Sequence, residues 1–157
     1  MRRAMAGFTL IEMMVVIVMI GVLISVVQIS LGDNRPRQAR QEADVLLRLM
    51  HGLREKAVLD GQEYGLRLTP DSYQLMGFDR ERWQPLERPV HLPDGLVLAL
   101  TLDGHEQLLT STSPTPQLLW LSSDESTAFE LHLDSPPERW LTLASDGLNA
   151  PQVSDEG

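Results

Sequence analysis

Three regimes of hydrophobic spacing divide this chain. From Phe8 to Leu31 nearly every side chain is apolar and Glu12 is the only ionisable one. As a helix these 24 positions extend about 36 Å, enough for a hydrocarbon core of roughly 30 Å. After Gly32 and Pro36, which can bend or interrupt a helix, apolar residues fall at Ala39, Ala43, Leu46, Met50, Leu53 and Ala57. Their alternating spacing of four and three predicts one face of an amphipathic helix. Arg40, Asp44, Arg48, His51 and Glu55 fall on the opposite face, and Gly61 supplies a stop. The simplest reading is a single long helix that Gly32 or Pro36 can kink. Pro36 also suits the first turn of a new segment behind Asp33 or Asn34.

From Gln62 onward the period changes to two. "EYGLRLT" points Tyr64, Leu66 and Leu68 to one side, and "SYQLMGF", Leu96–Leu102, Leu118–Ser123, Phe129–Asp134 and Arg139–Ser145 alternate likewise. Turn clusters separate them: "TPD", "PDG", "LDGHE", "STSPTPQ", "SSDES", "DSPPE" and "SDG". About six short strands with few helical stretches predict an antiparallel β-rich region. Trp83, Trp120 and Trp140 read as core or strand-face residues within it. The fold class is α+β: a long N-terminal helix packed on an antiparallel β-rich C-terminal domain.

Charge sharpens this division. The net charge is −9, with 22 acidic against 13 basic side chains, and two of the basic ones, Arg2 and Arg3, precede the apolar run. Without them the net charge deepens to −11. Such a body repels nucleic acid and anionic lipid and suits solubility or a cationic partner. With no cysteine, disulfides, thiol nucleophiles and cysteine-ligated zinc are excluded.

The beginning "MRRAMAG" is basic and ends in small residues, as a secretory signal does, but the order is inverted. The small residue comes before the apolar run, and no small-residue cleavage pattern follows it. An uncleaved signal anchor is the ordinary alternative. Glu12 distinguishes the two, because a carboxylate in a membrane helix costs about 2–3 kcal/mol or more and is there for a partner. Cutting after Gly7 would make Phe8 the N-terminus, with Glu12 one helical turn from its ammonium group. The carboxylate could instead meet the ammonium of a neighbouring subunit. Either pairing is strong at low dielectric and sets register.

These residues carry a resemblance. "GFTLIEMMVVIVMIGVL", with its short basic leader, resembles the class III signal of type IV pilins and type II secretion pseudopilins. The resemblance covers Met1 to about Leu31. It implies a leader 1–7, cleaved after Gly7 by a prepilin peptidase that also N-methylates Phe8. It implies a transmembrane and filament-core helix over 8–31, with Glu12 ordering subunits in the filament. Residues 32–60 are then the amphipathic continuation, and 61–157 a periplasmic domain. Arg35, Arg37 and Arg40 run against the positive-inside rule, partly offset by Asp33, Glu42 and Asp44. The peptidase, acting on the cytoplasmic face, fixes the orientation implied by the resemblance: N-terminus cytoplasmic, single pass through the inner membrane, body periplasmic.

The stretch from Leu118 to Asn149 is similar to the last strands of GspH/FimT-type domains: strand, turn, alternating strand, short turn, and a final strand ending in Gly147. This implies a minor pseudopilin of type II secretion. Its filament would push folded exoproteins through the outer membrane, and this subunit would link the tip complex to the shaft. The implied partners are the prepilin peptidase, the other minor pseudopilins of the tip complex, the major pseudopilin and the inner-membrane assembly platform. In pilus members of the family the last Gly is commonly followed by Arg. Here Leu148 follows, which argues against a minor type IV pilin (FimT/FimU-like) in pilus assembly or DNA uptake, the alternative within the family.

Chemistry is sparse elsewhere. His51, His91, His105 and His132 show no metal-ligand spacing, and no nucleophile elbow or phosphate loop occurs. "SSDES" and "DSPPE" match no calcium loop and read as solvated turns. In "DRERWQPLERP" the acids cancel the arginines, so no nucleic-acid partner is expected. The expectation is a protein that is not an enzyme, with no cofactor and no metal. An anchored periplasmic enzyme or binding protein is the reading from another class, and a pocket with convergent acid–base groups would distinguish it.

Overall fold

The computed structural model describes residues 10–30 and 35–154, with side chains for 10–21 and for 35–154 apart from Trp140. The chain divides into two units, Met1–Asn34 and Arg35–Gly157. The first contains α1 (Leu10–Ser30). Every described side chain from Leu10 to Ile20 is exposed, on all sides of the helix. Among the described residues no helix is long and apolar enough to cross a membrane. The expected span over 8–31 therefore rests on the sequence. Of the two residues expected to bend or interrupt the helix, Gly32 lies outside the described residues and Pro36 lies within the helix of the second unit.

The second unit begins with α2 (Arg35–Asp60), which has Pro36 in its first turn, where a missing N–H is harmless. Its buried residues are Ala39, Ala43, Leu46, Met50, Leu53 and Ala57, the six that the spacing predicts. The helix ends in a Schellman turn: Gly61 takes φ +61° and the Gln62 N–H donates to the Ala57 carbonyl at 3.2 Å. Asp60 is fixed there by Lys56 Nζ at 2.7 Å and by the Tyr64 hydroxyl at 2.6 Å.

Among the described residues ten strands follow, all antiparallel. They are β1 (Tyr64–Leu68), β2 (Ser72–Asp79), β3 (Arg82–Pro85), β4 (Val90–His91), β5 (Val97–Leu102), β6 (His105–Gln107), β7 (Leu118–Trp120), β8 (Phe129–Ser135), β9 (Glu138–Ser145) and β10 (Gln152–Ser154). One sheet runs β3-β2-β1-β7, with β4 also paired to β2; the other runs β10-β9-β8-β5-β6. Helix α2 packs against β1 and β7 of the first and β8 and β9 of the second. The registers set leucines in rows under it: Leu75–Leu66–Leu118 in the first sheet, Leu100–Leu131–Leu143 and Leu98–Leu133–Leu141 in the second. These side chains form one core with the α2 face, Tyr64, Trp120 and Phe129.

The sequence reading misses β3, β4, β6 and β10, and it overextends β7, which stops at Trp120. All four missed strands are short and mostly exposed, so neither face carries the alternation that reveals a strand. After Trp120 the chain turns instead: Leu121 N–H donates to the Glu125 carbonyl at 2.8 Å, and Asp124 takes φ +71°.

A second, smaller apolar layer lies on the far face of the first sheet. Met76 is buried there, and Phe78 packs against Trp83 with ring centroids 5.2 Å apart. Pro116, from the long connection before β7, crosses over Gly65 so closely that a Cβ would lie 2.4 Å from its ring. Arg67 fastens that connection by donating to the Ser113 carbonyl at 3.2 Å.

Candidate functional site

The residues expected to carry processing, Gly7 and Phe8, lie outside the described residues. Glu12 lies within them, in the first turn of α1, where a carboxylate is favoured by the positive end of the helix dipole. Its neighbours Ile11, Met13, Met14, Val15 and Val16 are exposed on every side. A helix that is apolar all round has no surface of its own suited to water, so it calls for lipid or other helices. That chemistry fits assembly.

In the second unit, long-range polar contacts gather at the last turns of α2. Arg54 donates through Nε to Asp124 Oδ1 at 2.7 Å and through Nη2 to Oδ2 at 3.0 Å, a bidentate fork. Nη2 also donates to the Leu148 carbonyl at 2.6 Å. His51 Nε2 lies 3.1 Å from the Pro151 carbonyl. One helix face is thus fastened to two loops. Hydrogen bonding to Arg54 holds the Asp124 carboxyl below the usual carboxylate range, and the same bond raises Arg54. Asp124 belongs to "SSDES", expected as a solvated turn; it is exposed, yet it is tied to the helix. Nothing in the local sequence signals a partner 70 positions upstream.

The loop around Gly147 is equally built. Asp146 accepts from the Asn149 N–H at 2.7 Å, the Asn149 side chain at 2.8 Å and the Leu148 N–H at 2.9 Å, which pushes its carboxyl down to about 2. Gly147 takes φ +83°, and a Cβ there would lie 2.6 Å from the Ser126 carbonyl oxygen. The Ser126 N–H in turn donates to the Gly147 carbonyl at 2.9 Å. The glycine singled out in the sequence is therefore where the loop after β9 presses on the turn after β7.

The histidines do not converge. His132 is buried on the outer face of the second sheet, with Nδ1 2.9 Å from Thr142 Oγ1 and Nε2 3.4 Å from Thr101 Oγ1. Burial, then Arg139, lower its pKa, against smaller opposing effects of Asp134, Glu130 and Glu106. His91 lies 3.8 Å from Asp71, and His105 bonds within its own turn. Among the described residues no group of three or more histidines or carboxylates is placed to hold a metal ion. A concavity of about 490 Å³ at one end of the second sheet includes Asp103, Glu130 and Asp146. Among the described residues neither a histidine nor an arginine or lysine lines it.

Residues 2–27 match the prokaryotic N-terminal methylation motif. Over 96% of this chain and 96% of the relative, the sequence is 42% identical to type II secretion system protein H of Pseudomonas aeruginosa. The protein of the same name from Aeromonas hydrophila is 30% identical over 87% of this chain and 85% of its own. Among solved structures, the crystal structure of the minor pseudopilin EpsH of Vibrio cholerae superposes with a TM-score of 0.67 at 22% identity. That alignment spans 77% of this chain and 98% of EpsH. The solution structure of E. coli GspH gives 0.65 at 20% identity over 79% and 94%. At those identities the structures speak for the fold; the full-length sequence likeness speaks for descent. With an apolar helix that carries Glu12 in its first turn, and a head of two antiparallel sheets on α2, the chain belongs to the type II secretion system protein H family of minor pseudopilins.

Proposed function

We propose that this chain is matured by a prepilin peptidase, which cuts after Gly7 and N-methylates Phe8. The apolar segment 8–31 then anchors it in the inner membrane with the head in the periplasm. On assembly, Glu12 pairs with an N-terminal ammonium and fixes the axial register of neighbouring subunits. The subunit joins the minor pseudopilins of the tip complex to the major pseudopilin shaft, on an inner-membrane platform, in the filament that drives exoproteins outward. It acts as a structural part and catalyses nothing. The observation that carries this reading is the match at residues 2–27, joined to 42% identity over 96% of the chain. Glu12 supports it physically, since a carboxylate in the first turn of an otherwise apolar helix is sustained by a cationic partner.

The test is the intact mass and N-terminal sequence of the protein from membranes, with and without its prepilin peptidase. The expected mature chain begins at N-methyl-Phe8 and depends on the peptidase. A chain that still begins at Met1 with the peptidase present would leave an ordinary membrane anchor and remove the filament role.

A further inference from the structure

The Arg54 clasp borders a groove of about 420 Å³ whose lining includes Val58, Leu59, Asp124 and Ala150. Three large apolar side chains stay in water at this end of the head: Val58 is 45% exposed, Leu59 75% and Leu148 69%. Scattered exposed leucines need no explanation, but these stand on backbone that is held still. Leu148 has its N–H bonded to Asp146 and its carbonyl bonded to Arg54. The preceding Gly147 is wedged against Ser126, and His51 holds the chain three residues later at Pro151. An apolar anchor on a pinned loop gives up little conformational freedom when a partner covers it, which is the character of an interface hot spot.

Charge describes the partner. Beside the single guanidinium of Arg54 stand Asp124, Asp146, which acts on it electrostatically, and Glu55, which lines the groove. Lys56, the nearby cation, is bonded to Asp60. The rim is acidic around an apolar floor. Leu59 also lies about 36 Å along α2 from Arg35, so this surface is remote from the end of α2 that continues from the apolar segment.

We propose that this end of the head docks an apolar segment flanked by lysine or arginine, carried by another subunit of the secretion filament. The proposal rests on the pseudopilin reading above. A small, rigid surface suits a partner met repeatedly in one geometry, whereas exported cargo varies in shape. Contact here adds a head-to-head bond to whatever the apolar helices form.

The test uses the full chain in its native membranes, with a photo-crosslinking residue at Leu59 or Leu148 and a control at Leu108, which is 87% exposed in another part of the head. Leu59 and Leu148 should crosslink to one filament subunit and Leu108 should not. With the crosslinker at Leu59, Leu148→Glu should lower the yield about tenfold or more, and Glu55→Arg should lower it further as like charges meet. Unchanged thermal unfolding of both variants assigns the loss to docking. The proposal is overturned by undiminished yield in both variants, by a secreted protein as the product, or by no product in a strain whose secretion requires this gene. If deleting the gene leaves secretion normal, the pseudopilin reading falls instead, whatever crosslinks form.

Discussion

Helices α1 and α2 are of similar length in one chain, yet they solve opposite problems. Helix α2 shows a single apolar stripe, and its own sheets bury that stripe from Ala39 to Ala57. Helix α1 is apolar on all sides, with Leu10 80% and Val16 41% exposed at its extremes. A stripe states where the rest of the chain lies; its absence states that the solvent for that helix is something other than water or self. The proposed function gives α1 the burden of assembly, while α2 carries the stability of one head.

The comparison breaks first at Glu12. Glu12→Ala should leave cleavage after Gly7 largely intact while secretion falls by an order of magnitude or more; normal secretion with fully processed protein would end the pairing role. Next, Leu46→Ala in α2 should destabilise the head by about 2–5 kcal/mol, because its side chain is fully buried. Val18→Ala in α1, an exposed position, should leave the thermal midpoint of the head where it was. If both variants shift it equally, the two helices are not independent. Gly147→Ala combines a left-handed φ with a backbone clash and should cost about 2–3 kcal/mol in denaturant unfolding.

The smallest effects are in pH. His132 is held neutral by burial, so its contribution is complete above its ordinary value of 6.5 and declines as pH falls below it. Thermal midpoints should show this slope, and His132→Asn should flatten it. The Asp146 contribution is complete above 3.8 and is lost as pH falls through about 2. Asp146→Asn should make the midpoint less dependent on pH in that window.

How legible the molecule was depended on the range of each interaction. The α2 face, β1, β2, β5, β8 and β9 were readable because their residues meet one core and alternate to do so. The edge strands β3, β4, β6 and β10 were not, since their order comes from a partner strand and their side chains face water. Gly61 announced the helix end through its freedom of φ, and Gly147 stood out only by resemblance. Arg54 and Asp124 were invisible as a pair, since each alone looks like a solvated surface charge. Glu12 was legible from the start, because a lone charge among apolar residues violates the local pattern.

The tight end of α2 has a mechanical side. Only Gly61, Gln62 and Glu63 separate the helix from β1, and a Schellman turn, the Tyr64–Asp60 hydrogen bond and the Gln62 amide bonded to the Phe78 carbonyl brace the corner. β1 lies between β2 and β7, inside its sheet. A thrust arriving along α2 thus enters the middle of the first sheet with no slack loop to absorb it. The head therefore takes load along α2 as one stiff piece, helix and sheet together.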